Sequence, residues 1–327
     1  MKVAVLDDWQ GVARRFADWP KLQARAELVF FSEAFADEDD AAAKLADFDI
    51  VLSMRERTPL SGSLINHLPK LRMLGITGAR NLSLDLDACT ARGILVCNTV
   101  AGNNSAEAAT AELALGLLIA AARALPQGDA NLRAGRFQEE LPVGINLAGK
   151  TLGVVGLGRL GSHMARYARA LNMNVIAWSQ NLTAERASAA GATLVSKEDL
   201  FSTSDAISIH LVLSARTRGL IGAADLGRMK PGGILVNTSR GPIVDEAALI
   251  DAVRAGRIIA ALDVFDREPL PNEHPFRRAQ NTVLTPHLGY GVRVTWEQFY
   301  PQSLENALAF LDGNPIRVMN PTVLGKA

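Results

Sequence analysis

Short apolar runs separated by amphipathic stretches repeat along the chain. In the first hundred residues, runs at 3–6, 27–31, 49–53, 72–76 and 94–97 have the length and composition of strands. Helical periodicity fills the intervals, as at 39–45 and 84–91. Alternating strands and helices joined by short loops predict a parallel sheet covered by helices. The rhythm resumes after residue 150, with strands expected at 151–155, 174–178, 192–195, 206–211, 233–238, 260–264 and 282–285. Helices such as 223–229 and 246–255 lie between them, and a last helix over 296–311 stops at Gly313 and Pro315. Between the two halves, 106–125 is rich in alanine and leucine and lacks proline, which predicts a long helix. It is apolar on more than one face, so something beyond its own domain should cover it. The stretch 126–149 reads as an irregular arm making a subunit contact.

Composition narrows the class. A chain of 327 residues, 48% of them hydrophobic, can bury a large core and should form two domains. Lysine plus arginine and aspartate plus glutamate both total 34, so nothing argues for a nucleic-acid or membrane partner. Cys89 and Cys97 form neither a CxxC pair nor a disulfide framework, which fits a reducing cytoplasm. The first residues turn acidic too soon for a signal peptide, and the apolar stretch 113–122 is too short for a membrane span.

Candidate chemistry begins at the strand over 151–155, which runs into Gly156-Leu157-Gly158-Arg159-Leu160-Gly161. An amphipathic pattern then places Leu160, Met164, Tyr167, Ala168 and Leu171 on one helical face, and a second strand follows. In a strand–turn–helix of this kind, Gly156 allows the turn and Gly158 lets backbone approach a pyrophosphate. Gly161 lets the helix pack on the strand. The helix N-terminus then faces the phosphates. This is a dinucleotide site.

Three polar groups follow later strands, where ligands bind in such sheets: Arg240, Glu268 and His287. An arginine can grip a carboxylate through two hydrogen bonds and polarise the adjacent carbonyl. A histidine can hand over a proton, and a carboxylate can orient its ring and favour its protonated form. That set suits reduction of a 2-keto acid. Among the other histidines, His67 and His163 lie in helical patterns and His274 in a loop. His210, at a strand end near the expected cofactor, is the second choice. No zinc-ligand spacing appears, so no metal is expected. In the first half, the loops 54–59 and 75–81 carry Arg55, Gly78 and Arg80, an anion cradle at strand ends.

These motifs together resemble the D-isomer-specific 2-hydroxyacid dehydrogenases, which include glyoxylate/hydroxypyruvate reductases, D-lactate dehydrogenases and phosphoglycerate dehydrogenases. The likeness rests on the glycine motif, on Asn237 through Glu246, on Ala261 through Phe265 with Glu268-Pro269, and on Thr285-Pro286-His287-Leu288-Gly289. It covers almost the whole length. The resemblance implies an α/β fold of two doubly wound parallel sheets, a Rossmann cofactor domain inserted in a flavodoxin-like substrate domain. The substrate domain would comprise 1–100 and 288–327, and the cofactor domain 101–287 with a dimerisation helix and arm at 106–149. The active site would lie in the cleft between them, in a homodimer. With the chain ending at 327, a short form without an appended regulatory domain is expected.

By the same resemblance, Arg240 binds substrate, His287 is the acid/base and Glu268 its partner. Arg159 and Leu160 meet the pyrophosphate, and Asp263 meets the nicotinamide carboxamide. Thr238, Ser239 and Gly289 border the cofactor. Thr77, Gly78 and Ala79 match the loop whose amides receive the substrate carboxylate, with Arg55 beside them. Arg80 and Tyr290 are unusual at substrate-facing positions and hint at a substrate larger or more anionic than glyoxylate. Where NAD-preferring members carry an aspartate, this chain has Ser179-Gln180-Asn181, with Arg186 following. NAD is the default cofactor and NADP stays open. The expected activity is hydride transfer between a 2-keto acid and a D-2-hydroxy acid. The alternative is a dinucleotide-sensing, corepressor-like binding protein on the same fold. A formate dehydrogenase is disfavoured by the Glu268–His287 pair.

Overall fold

The computed structural model of the chain describes residues 1–100 and 105–325. In it the apolar runs become parallel strands, trimmed or shifted by a residue or two at their ends. The chain divides into two compact units, Met1–Ala106 with Val292–Ala327, and Glu107–Gly291. The division expected at 100/101 borders residues 101–104, which lie outside the described residues.

The first unit holds β1 (Lys2–Val5), β2 (Glu27–Phe30), β3 (Ile50–Ser53), β4 (Met73–Ile76) and β5 (Leu95–Asn98). They form one sheet in the order β2-β1-β3-β4-β5, every pair parallel. This is the flavodoxin-like order, with its switch between β1 and β3. β3 and β4 are buried throughout, as strands covered on both faces must be. The chain returns to this unit in the helix Arg293–Leu311, where Trp296, Tyr300, Leu304 and Ala307 are buried. Asn306 Nδ2 donates to the Asn98 carbonyl at 2.8 Å, fixing that return.

The second unit holds β6 (Thr151–Val155), β7 (Asn174–Trp178), β8 (Thr193–Leu194), β9 (Ala206–Ile209), β10 (Gly233–Asn237), β11 (Ile258–Leu262) and β12 (Thr282–Leu284). Their order is β12-β11-β10-β9-β6-β7-β8, all parallel, with the switch between β6 and β9. That is the Rossmann arrangement extended by one strand. Alternation along the strands divides the core in two. Leu152, Val154, Ile234 and Val236 face one cluster, and Val155, Ile207, Leu235 and Leu262 face the other.

The helix Ser105–Ala122 places Ala114, Leu117, Leu118 and Ala121 in the first of those clusters. Two expectations change. The arm after this helix is not wholly irregular, because Leu125–Arg133 is helical. Pro126 sits in the first turn, where a missing N–H costs little, and Arg133 pairs with Asp129 at 2.7 Å. Residues 288–291 group with the second unit rather than with the C-terminal helix. The cause is Asp263, whose carboxylate accepts from the Leu288 and Gly289 amides. Among the described residues, no single helix is long and apolar enough to cross a membrane.

Asp7, just past β1, is 1% exposed; its Oδ1 accepts from Thr58 Oγ1 at 2.8 Å. Its Oδ2 has no hydrogen-bond partner among the described residues. Burial pushes its carboxyl up to about 6. The folded chain therefore holds this proton more tightly than the unfolded chain does. Stability is lost as pH rises from the ordinary carboxyl range through about 6, and it stays lost above that. Asp7→Asn removes the ionisation, keeps an acceptor for Thr58 and tolerates the φ of 60°. Its thermal midpoint should exceed that of the unaltered chain at about pH 8, by a stability difference of about 2–3 kcal/mol. The two midpoints should converge near pH 3.5. Equal midpoints at pH 8 would show that Asp7 carries no burial penalty.

Candidate active site

The glycine turn closes β6. Gly156 has φ +96°, and a Cβ there would lie 2.5 Å from the His210 carbonyl oxygen. A Cβ on Gly161 would lie 2.1 Å from the Gly156 oxygen, so helix Arg159–Ala170 packs directly on the turn. Gly158, at the N-cap of that helix, is different: nothing lies within 4 Å of the position its Cβ would take. Packing inside the protein thus accounts for two of the glycines, while the third leaves bare backbone facing open space at a helix N-terminus. Two enclosed polar atoms at the adjacent strand ends, Thr238 Oγ1 after β10 and His210 Nδ1 after β9, have no partner among the described residues. These features fit a dinucleotide.

On the same sheet edge, the ends of β11 and β12 bring an acid and an imidazole together. His287 Nδ1 stands 2.6 Å from Glu268 Oε2. The other carboxylate oxygen, Oε1, accepts from the Phe265 amide at 2.9 Å, which fixes the acid's direction. His287 has φ +53°, and its own amide donates to the Asp263 carbonyl at 2.9 Å. The Tyr290 ring meets the imidazole edge-on, with centroids 5.7 Å apart. His210 is poorly placed to act as the acid: burial pushes its ring down to about 4, and Nε2 pairs with Ser208 Oγ at 2.8 Å.

The remaining expected residues divide by what already occupies them. Asp263 is fully buried; Oδ1 accepts from Thr285 Oγ1 at 2.6 Å and Leu288 N at 2.7 Å, and Oδ2 from Gly289 N at 2.9 Å. These bonds brace the His287 loop. Ser239 Oγ donates to the Ile209 carbonyl at 2.7 Å, tying β10 to β9, so its hydroxyl is also engaged internally. Arg240 Nη1 donates to the Ser239 carbonyl at 2.7 Å. Its loop meets that of Glu268 at Gly241, where a Cβ would come within 2.2 Å of the Phe265 backbone. Arg159 is exposed, while Leu160 and Ser179 are half-buried around the glycine turn and the end of β7.

In the first unit, Arg55 and Thr77 lock together. The Arg55 amide donates to Thr77 Oγ1 at 2.8 Å, and its Nη1 to the Thr77 carbonyl at 3.2 Å. The Gly78 amide, expected to receive a substrate carboxylate, instead donates to Thr99 Oγ1 at 2.7 Å. Ala79 and Arg80 are exposed. Sequence reading missed Thr110, whose Oγ1 donates to the Gly289 carbonyl at 3.0 Å and so steadies the His287 loop from the long helix. A threonine in an alanine-rich run was the available signal. No group of three or more metal-ligating side chains occurs among the described residues.

The glycines separate packing from ligand approach. Gly161→Ala should lower the thermal midpoint, because its methyl meets backbone. Gly158→Ala should leave the midpoint within a degree or so and weaken dinucleotide binding by about tenfold or more, read by titration calorimetry. Unchanged affinity in Gly158→Ala would remove this turn from the site.

Comparison with known proteins agrees with this geometry. Residues 115–289 match the family model for the D-isomer specific 2-hydroxyacid dehydrogenase, NAD binding domain. A D-3-phosphoglycerate dehydrogenase of Archaeoglobus fulgidus is 38% identical over 265 residues, 81% of this chain and 50% of that protein. A glyoxylate reductase of Aeropyrum pernix is 38% identical over 270 residues, 80% of each. The chain spans about half the length of the first curated relatives it matches. Among solved structures, a phosphoglycerate oxidoreductase from Vibrio cholerae O395 superposes with a TM-score of 0.88 at 33% identity. It covers 96% of this chain and 99% of that one. With its two all-parallel sheets, its glycine turn and its paired carboxylate and imidazole, the chain belongs to the D-isomer-specific 2-hydroxyacid dehydrogenase family.

Proposed function

We propose that the chain is an oxidoreductase interconverting a 2-keto acid and a D-2-hydroxy acid with a nicotinamide cofactor. The observation that carries this reading is the 2.6 Å contact between His287 Nδ1 and Glu268 Oε2, on the sheet edge that also bears the glycine turn. Gly156, Gly158, Leu160 and Gly161 would hold the dinucleotide, with Thr238 and His210 offering their enclosed polar atoms. When bound, the nicotinamide supplies or accepts the hydride. The chain's own residues do the rest. Glu268 accepts from Nδ1, which leaves Nε2 to face the substrate and give its proton to the carbonyl oxygen. Arg240 pairs with the substrate carboxylate and draws charge from the neighbouring carbonyl. We assign Arg55, Thr77, Ala79, Arg80 and Tyr290 to the acid's carboxylate and side chain.

We take NAD(H) as the cofactor, because no arginine stands in Ser179-Gln180-Asn181 to meet a 2′-phosphate, and the family model is that of an NAD-binding domain. A homodimer through the 106–149 region is supported by exposed apolar side chains there: Leu132 at 62%, Phe137 at 68% and Val143 at 97%. A reducing, cytoplasmic setting is supported by two buried free thiols, which burial pushes up to about 12 in Cys89 and about 11 in Cys97.

The test is a spectrophotometric assay of small 2-keto acids with NADH and NADPH. Consumption of reduced cofactor is expected; tight binding of both cofactors with no turnover of any keto acid would favour a dinucleotide sensor instead. His287→Ala should lower kcat by about two to four orders of magnitude while cofactor affinity survives. Unchanged turnover would remove His287 from the mechanism. Arg240→Lys should raise the KM for the keto acid by about tenfold or more, because an ammonium cannot make the two-pronged contact. An unchanged KM would refute the assigned grip.

A further inference from the structure

His274 lies in a loop, as its setting in Asn272-Glu273-His274-Pro275 implies, and its side chain is engaged at both ring nitrogens. It caps the short helical turn Pro275–Arg278, and its Nδ1 accepts from the Phe276 amide at 3.3 Å. An Nδ1 that accepts carries no proton, so the ring hydrogen sits on Nε2. Nε2 in turn points at Glu246 Oε1, 3.3 Å away, with the histidine side chain only 11% exposed. The ring is further held against Phe276, with centroids 4.9 Å apart. The other oxygen of Glu246, Oε2, accepts from the Asp266 amide at 3.3 Å.

Asp266 lies two residues before Glu268, and the adjacent Phe265 amide is the donor that orients Glu268 Oε1. Glu246 itself begins helix Glu246–Arg254, at the end of the loop that carries Arg240. Both loops therefore converge on one carboxylate. They also pack with almost no slack. Gly241 lies against Phe265 too closely for a Cβ, and the cavity lined by Asn237, Gly241, Val244, Glu246, Phe265 and Asp266 measures about 10 Å³.

We propose that Glu246, held by His274, is a positioning residue: a second acid–histidine pair, outside the site, that sets the Glu268 loop against the Arg240 loop. This rests on the oxidoreductase reading only for its kinetic consequence. Glu246→Gln leaves one acceptor oxygen where two are needed, so the Asp266 and His274 donors cannot both be met. His274→Phe keeps the ring stacking and removes the Nε2 donor, and it serves where Glu246→Gln folds poorly.

Two readouts separate the proposal from the activity it serves. Amide hydrogen exchange over residues 263–268 should quicken by about tenfold or more in either variant, since a clamped loop opens less often than an unclamped one. In the keto-acid assay, kcat should fall on the order of 10- to 100-fold with KM and cofactor affinity within about twofold. A double-mutant cycle should show that Glu246→Gln costs almost nothing further in a Glu268→Gln background, because it acts through that acid. Unchanged exchange in both variants overturns the clamp whatever the kinetics. Quickened exchange in a protein that reduces no keto acid keeps the clamp and sinks the enzymatic reading. Additive losses with Glu268→Gln, or a raised KM and weakened cofactor affinity alongside the lower kcat, would make Glu246 merely structural and overturn the proposal.

Discussion

The buried carboxylate of Asp263 is the constraint on which the catalytic edge depends. It sits just past β11 and collects the Thr285 hydroxyl and the amides of Leu288 and Gly289, so one side chain bends the chain leaving β12 back over the sheet. Burial holds its carboxyl above the usual range even with three donors drawing it down. An unsatisfied acid in that position would be costly, so the donors and the loop shape come as a set. The left-handed backbone at His287 follows from this bend, and with it the meeting of the imidazole and Glu268.

Much of this was legible in the chain. Parallel strands buried on both faces need mostly apolar runs, and such runs mark β3, β4, β9 and β10, broken only by small or terminal polar residues such as Ser208. The glycine turn announced itself because backbone crowding at Gly156 and Gly161 admits no other residue. Arg240, Glu268 and His287 could be nominated because strand ends are where polar groups in such a sheet can reach a ligand.

What stayed hidden depended on partners far apart in sequence. Nothing local shows that the Gly78 amide meets Thr99, that Ser239 reaches Ile209, or that the Asp263 oxygens are all engaged. These are long-range hydrogen bonds, and periodicity carries no information about them. His274 lies outside helix and strand, as the proline and asparagine around it signal, while its partner Glu246 lies on another element and leaves no local mark. The helix Leu125–Arg133 was missed because proline reads as a breaker unless its place in the first turn is known.

The long helix Ser105–Ala122 has a bearing on where this protein can be cut. Its side chains Ala114, Leu117, Leu118 and Ala121 share one apolar cluster with Leu152, Val154 and Val236 of the second sheet. A fragment started at the first strand of the glycine turn would carry the whole turn and still leave the part of that cluster filled by Ala114, Leu117, Leu118 and Ala121 open to water. The dinucleotide fold therefore begins well upstream of its own signature, and the connector is as much a part of it as the turn.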